Sequence, residues 1–287
     1  MINNESDDNY IVEGNKIDIL KEDWKYLIIL DACRYDYFEK NYKKYLNNGK
    51  LRMAISPATT TMQWLNIIFS GYNDNIVYLS TNPYINSKLE LKDKDGFKYY
   101  GKKHFFKVID LWDTQWDNKL GTVKPEAMNH ILNIEKKYSN KRFILHYMQP
   151  HEPYIGENYK KYIRKQYTKD DIGNEKKYSL KRKIGNLIIK FFGIQVEWKI
   201  RKFLKIQTFG QPNIIGMHEG VRGLRKAYEE NLNLVLKAVS DLLPKLKGKV
   251  IITADHGEYL GENGLFGHGI MKRRPCITNV PYFEISV

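Results

Sequence analysis

The chain has 287 residues, 42% of them hydrophobic, enough apolar material for one large α/β domain or two small ones, and this excludes a disordered chain. Its 47 Lys and Arg against 33 Asp and Glu leave a net charge of +14, which favours anionic partners, and two cysteines, Cys33 and Cys276, exclude a disulfide framework. Met1 to Tyr10 is polar and acidic, with neither a basic start nor an apolar stretch, and no run of about 18 apolar residues occurs, so the expected location is the cytoplasm, with the inner face of a membrane as the alternative.

Residues 1–15 read as a polar lead-in to a single domain over 16–287. Trp24 to Leu30 is a continuous apolar run that ends on Asp31, the pattern of a buried strand with a polar residue at its C-terminal end. Helical spacing follows from Arg34 to Leu46. Pro57-Ala58-Thr59-Thr60 is a helix entry, Thr61 to Phe69 the helix, and Ser70-Gly71 its stop. Asn75 to Leu79 reads as a short strand, 80–104 as polar loop, Lys107 to Leu111 as a strand, and Pro125 to Tyr138 as a helix with Pro in its first turn. Arg142 to Met148 is another apolar strand, running into Gln149-Pro150-His151. Gly216 to Leu246 is a long helical pattern, Lys249 to Ala254 a strand that delivers Asp255, and Pro281 to Val287 a last strand. Strands alternating with helices predict a central sheet, mainly parallel or mixed, covered by helices on both faces. Ligands bind beyond the carboxyl ends of such strands, where Asp31, His151 and Asp255 all fall.

Three stretches carry chemistry. In Ala254-Asp255-His256-Gly257-Glu258 a carboxylate and an imidazole follow a strand; with a turn at Gly257 both point at one cation, and the competing reading is a plain turn with a capping Asp. Asp31 at a buried strand end is costly unless paired or bound to metal, with Arg34 as a partner for it or for an anionic substrate; alternatively it caps the next helix. Thr61 stands at a helix N-terminus, where amide groups and the dipole favour negative charge and a bound cation would stabilise an alkoxide; alternatively Thr59 to Thr61 are capping hydroxyls only. His104, His130 and His218 have no motif around them, and Cys33 has no recognisable base.

In this order the elements resemble the alkaline phosphatase/sulfatase superfamily, particularly the sulfatase-like branch with lipoteichoic acid synthases and phosphoethanolamine transferases. The matching words are Asp31, Arg34 and Asp36; Thr61, ten residues before Gly71; Pro150-His151-Glu152-Pro153-Tyr154; Ala254 to Glu258; Gly267-His268-Gly269; and Val280-Pro281, together covering roughly 24–155 and 217–285. The resemblance implies one divalent cation, Zn or Mn before Mg or Ca, held by Asp31, Thr61, Asp255 and His256. It implies Thr61 as nucleophile, His151 and His268 on the phosphoryl oxygens or the leaving group, and Arg34 assisting. Thr-Met-Gln-Trp stands where true sulfatases carry Cys-x-Pro-x-Arg, and threonine cannot become formylglycine, so a phosphoric ester is expected before a sulfuric one. Ala32 replaces a second Asp common in sulfatases. Only His151 and His268 remain for a further metal site, which favours one metal; a two-metal phosphomutase is the runner-up, and a non-catalytic basic binding protein is the reading from another class.

The excess charge is concentrated. Residues 156–205 hold 15 Lys and Arg against 5 Asp and Glu, interleaved with apolar residues from Ile184 to Leu204. This basic insertion, taken as 156–216, fits a packed helical hairpin, a lid, an amphipathic contact with an acidic membrane, or a nucleic-acid patch. No nucleic-acid motif accompanies it, so no specific nucleic acid is expected; the expected partner is an anionic phosphate- or sulfate-ester substrate.

Overall fold

The structure, a computed structural model, describes residues 9–93, 95–163, 194–203, 210–269 and 273–287. Most of the basic insertion, including the apolar positions Ile184 to Phe192, therefore lies outside the described residues.

Nine strands form one sheet: β1 (Tyr10–Val12), β2 (Asn15–Ile17), β3 (Tyr26–Leu30), β4 (Lys50–Ile55), β5 (Asn73–Ser80), β6 (Phe105–Asp110), β7 (Arg142–Tyr147), β8 (Lys249–Thr253) and β9 (Asn279–Ser286). Their order is β2-β1-β4-β9-β8-β3-β7-β5-β6. The sheet is mixed. From β8 through β3, β7 and β5 to β6 every pairing is parallel, and from β8 through β9, β4 and β1 to β2 every pairing is antiparallel. β3 sits in the parallel half and reads YLIIL, with no polar alternation, because both of its faces are covered and all five residues are buried.

Helices flank the sheet: α1 (Tyr35–Asn41), α2 (Thr61–Ile68), α3 (Ile131–Lys137), α4 (Ile194–Phe203) and α5 (Gln211–Leu242). Phe38 of α1, Met62, Trp64 and Leu65 of α2, and Leu232, Val235, Leu236 and Val239 of α5 bury their apolar stripes in the main core. A second cluster joins Tyr154, Trp198, Ile215, Leu224, Tyr228 and Leu260, and seats α4 on the first part of α5. Trp198 lies over Gly216, where a Cβ would collide with the indole, and its Nε1–H donates to Asn213 Oδ1 at 3.0 Å.

Several expectations change. The supposed lead-in supplies β1, whose Ile11 and Val12 pair with Ile55 and Ala54 of β4, so residues 10–12 belong to the sheet. β4 is a strand that the polar mixture KLRMAI does not announce. α5 begins at Gln211 instead of Gly216 and is broken at Gly220, whose φ of 68° is open to glycine and strained for other residues. The stretch Pro125–His130 is 3-10 helix before α3 begins. No helix among the described residues is long and apolar enough to cross a membrane.

Candidate active site

The parallel strands place the site by their register. Leu30 pairs with Tyr147 and Ile29 with Thr253, so β3, β7 and β8 end on one rim and release Asp31, the loop to His151, and Asp255 side by side. The loops are also tied to each other: the His151 amide donates to the Asp31 carbonyl at 3.2 Å, and the Ala32 amide to Asp255 Oδ1 at 3.1 Å. The latter bond is made with Ala32 held in the left-handed region at φ 56°, an uncommon conformation for alanine.

Thr61 is the first residue of α2. Its helix is capped by Thr60, whose hydroxyl accepts the Gln63 amide at 3.2 Å, while Thr59 bonds the Gln63 side chain. Capping therefore does not occupy Thr61. Its Oγ donates to Asp255 Oδ2 at 2.7 Å and lies 3.4 Å from His256 Nε2. His256 Nε2 is 3.5 Å from Asp255 Oδ2 and 3.9 Å from Asp31 Oδ1. The His256 Nδ1 proton goes to the Gly257 carbonyl at 2.8 Å, which turns the Nε2 lone pair into this cluster. Asp31 caps no helix: Oδ2 accepts from Asn82 Nδ2 at 2.6 Å, and Oδ1 is buried with no hydrogen-bond partner.

All four side chains are buried. Burial and the neighbouring Asp255 charge push the Asp31 carboxyl well above the usual range, against the pull of His151 and the Asn82 hydrogen bond. Burial also opposes ionisation of Asp255, but His256, His146 and the Thr61 and Ala32 hydrogen bonds outweigh it and hold that carboxyl low. Two facing buried carboxylates, one with an orphaned oxygen, fit a bound cation. Asp31, Asp255 and His256 each offer a ligand atom within 4.8 Å of the others, and with Thr61 they make an oxygen-rich donor set with one nitrogen, which could hold a divalent cation.

A second group lies alongside. His151, Glu258 and His268 also bring ligand atoms within 4.8 Å of one another, and the His268 ring is 4.4 Å from that of His256 and 4.9 Å from that of His151. Glu258 is buried and its Oε2 has no hydrogen-bond partner. Burial works against a proton on His151, yet Asp31, Glu258 and Glu152 overcome it and raise this imidazole to about 9, while burial raises Glu152 to about 7.

Arg34 is placed differently from expectation. It does not pair with Asp31. Its guanidinium takes Asp36 in a fork at 3.0 and 2.7 Å, Glu262 at 2.9 Å and the Glu258 carbonyl at 3.1 Å. Arg34 is thus a brace for the loop that carries Glu258. Arg34→Ala is expected to cost about 1–2 kcal/mol of stability, as read by thermal or urea unfolding: the Glu258 carbonyl loses its donor, while Glu262 keeps Arg225 at 3.1 Å and the Leu260 amide, and Asp36 faces solvent.

Residues 44–286 match the family model of the sulfatases. The chain belongs to the sulfatase family. Asp31 lies ahead of the matched stretch, and it is the fold that brings it to Asp255 and His256. Among solved structures, the integral membrane protein lipooligosaccharide phosphoethanolamine transferase A (EptA) from Neisseria meningitidis matches at TM-score 0.51 and 13% identity, over 97% of this chain and 50% of that one. This sulfatase-family chain therefore spans half the length of EptA and shares its fold. The zinc complex of the C-terminal periplasmic domain of EcEptC from Escherichia coli matches at 0.49 and 11%, over 97% and 75%. Phosphonate monoester hydrolase of Agrobacterium radiobacter matches at 0.49 and 12%, over 90% and 67%. A search of curated proteins by sequence gave no match.

Within the candidate site of this sulfatase-family chain, sequence reasoning left out Asn82, Glu258 as a candidate ligand, and His146. Asn82 follows β5 on the same rim and was open to the strand-end argument. Glu258 belongs to a motif already read for its neighbours. His146 lies inside β7, where nothing local marks it; its Nδ1 bonds the Tyr78 hydroxyl at 2.7 Å, its Nε2 is buried with no partner, and burial lowers it to about 4. Gly257 was read as a turn residue, but its requirement is space: a Cβ there would collide with the Cys276 carbonyl. Gly257→Ala is expected to destabilise by about 2 kcal/mol, checked by chemical unfolding.

Proposed function

We propose that this chain is a metal-dependent hydrolase or transferase of phosphoric esters, with Thr61 as its nucleophile. The observation that carries the reading is the contact of Thr61 Oγ with Asp255 Oδ2 at 2.7 Å, beside the His256 Nε2 lone pair and the unpartnered Asp31 Oδ1. A divalent cation held by Asp31, Thr61, Asp255 and His256 would supply positive charge for the alkoxide and for the phosphoryl transition state. The chain's own groups account for the rest. Asp255 takes the Thr61 proton along their hydrogen bond. Thr61 Oγ forms the bond to phosphorus while the ester oxygen departs on the opposite side. The amides at the start of α2 favour negative charge near Thr61. His151 and His268 face the same space from the next loops, and a protonated imidazole there neutralises a non-bridging oxygen or gives its proton to the leaving oxygen. Water, or an acceptor hydroxyl, then takes the phosphoryl group from Thr61, giving its proton to the imidazole that protonated the leaving oxygen, while Asp255 returns a proton to the departing Thr61 Oγ.

A second reading adds a cation at His151, Glu258 and His268. It is favoured by the buried, unpartnered Glu258 Oε2 and by the two-histidine, one-carboxylate set, and it is the alternative to the one-metal expectation. Metal analysis of saturated protein separates the two readings, one equivalent against two. The reaction class is tested with chromogenic phosphomonoester, phosphodiester and sulfate-ester substrates across Zn²⁺, Mn²⁺, Mg²⁺ and Ca²⁺. Turnover of a phosphoric ester is expected; turnover of the sulfate ester alone would overturn the proposal.

A further inference from the structure

We propose that the Tyr10 hydroxyl is a positioning group for the metal centre, tying the helix that carries Thr61 to the strand end that carries Asp255. This rests on the reading of Asp31, Thr61, Asp255 and His256 as the metal site. Tyr10 lies on β1, outside both the sulfatase match and the motifs, and is fully buried. Its oxygen accepts the Trp64 Nε1–H at 2.7 Å and its proton goes to the Ala254 carbonyl at 2.7 Å. Trp64 stands three residues after Thr61, on neighbouring positions of α2, and Ala254 immediately precedes Asp255. One hydroxyl therefore spans the two elements whose separation sets the Thr61–Asp255 contact.

Packing alone does not call for this oxygen, since phenylalanine would fill nearly the same volume. Both of its bonds go to groups next to proposed ligands, and both partners would be left buried and unpaired without it. The phenol stays protonated, and so remains a donor, because burial and the Asp255 charge raise it well above its ordinary value. β1 is itself fixed by pairing with β4, and β4 leads to Ser56, whose Oγ donates to the Asp255 carbonyl. The strand and the serine thus hold the same turn from two sides.

The test is zinc affinity of the full chain, measured by competition with a chromophoric chelator, with circular dichroism to establish folding. Tyr10→Phe is expected to weaken zinc about tenfold while remaining folded, the scale of losses on removing groups that orient ligands. Trp64→Phe cuts the other arm and carries the same expectation should Tyr10→Phe not fold. The double variant is expected to lose no more than the larger single loss, because either change breaks one bridge. Asp255→Ala is the control. Zinc affinity in both single variants within about twofold of wild type, with Asp255→Ala having lost zinc, would overturn the positioning role alone, as would losses that add in the double variant. Wild-type affinity in Asp255→Ala would overturn the metal reading and this proposal with it.

Discussion

Thr61→Ala is expected to lower turnover of a phosphoric ester by about 10⁴-fold or more while the protein still takes up metal, since loss of a nucleophile removes the bond-forming atom and leaves only electrostatic assistance. Asp31, Asp255 and His256 keep their positions in that variant, because none of them depends on the methyl or hydroxyl of Thr61 for its other hydrogen bonds: Asn82 holds Asp31, the Ala32 and His256 amides hold Asp255, and the Gly257 carbonyl holds His256. Paired assays of chromogenic turnover and metal titration check both halves. Normal turnover would remove Thr61 from the mechanism; loss of metal together with turnover would make it chiefly a ligand.

Asp31→Asn is expected to act in opposite directions on stability and on metal binding. In metal-free protein the wild-type carboxyl faces Asp255 from a buried position, with one oxygen unpartnered. An amide of the same shape removes the charge, keeps an acceptor for Asn82 and brings a donor toward His256 Nε2. The chelated variant should therefore melt no lower than chelated wild type, with a gain of about 1 kcal/mol. Metal, by contrast, should no longer protect it, whereas wild type gains about 4 kcal/mol at a thousandfold excess over the dissociation constant. The pH dependence follows from the same group. The folded-state carboxyl is held above its unfolded value near 3.8, so the folded protein binds the proton more tightly; metal-free wild type loses stability as pH rises above that value, and Asp31→Asn lacks this slope. Melting curves with chelator and with zinc, at several pH values, measure all three effects.

The half of the molecule that could be read from sequence is the half buried on both faces. YLIIL in β3 and the VII run in β8 have no polar alternation to dilute them, and the acids that follow them, Asp31 and Asp255, stand out. The start of α2 at Thr61 was legible from the helix entry Pro57 to Thr60 and the stop at Ser70-Gly71. The antiparallel half was not. β4 mixes exposed Lys50 and Met53 with buried Ala54, and β1 is three residues long in a polar stretch, so neither shows a period. Side-chain partners across long separations were also hidden. Arg34 had a carboxylate within reach at Asp31 in sequence, but the fold puts Glu262 and Asp36 against it instead. Asn82 and Tyr10 gain their places only through the sheet order, which sets β5 near Asp31 and β1 behind Ala254.

Anomalous diffraction from crystals grown with zinc, recorded across its absorption edge, tests the metal centre most directly. The expected map shows an ion within bonding distance of Asp31, Thr61, Asp255 and His256 together. Density for zinc that touches none of these four side chains, or that leaves Thr61 Oγ out of reach, would contradict the account.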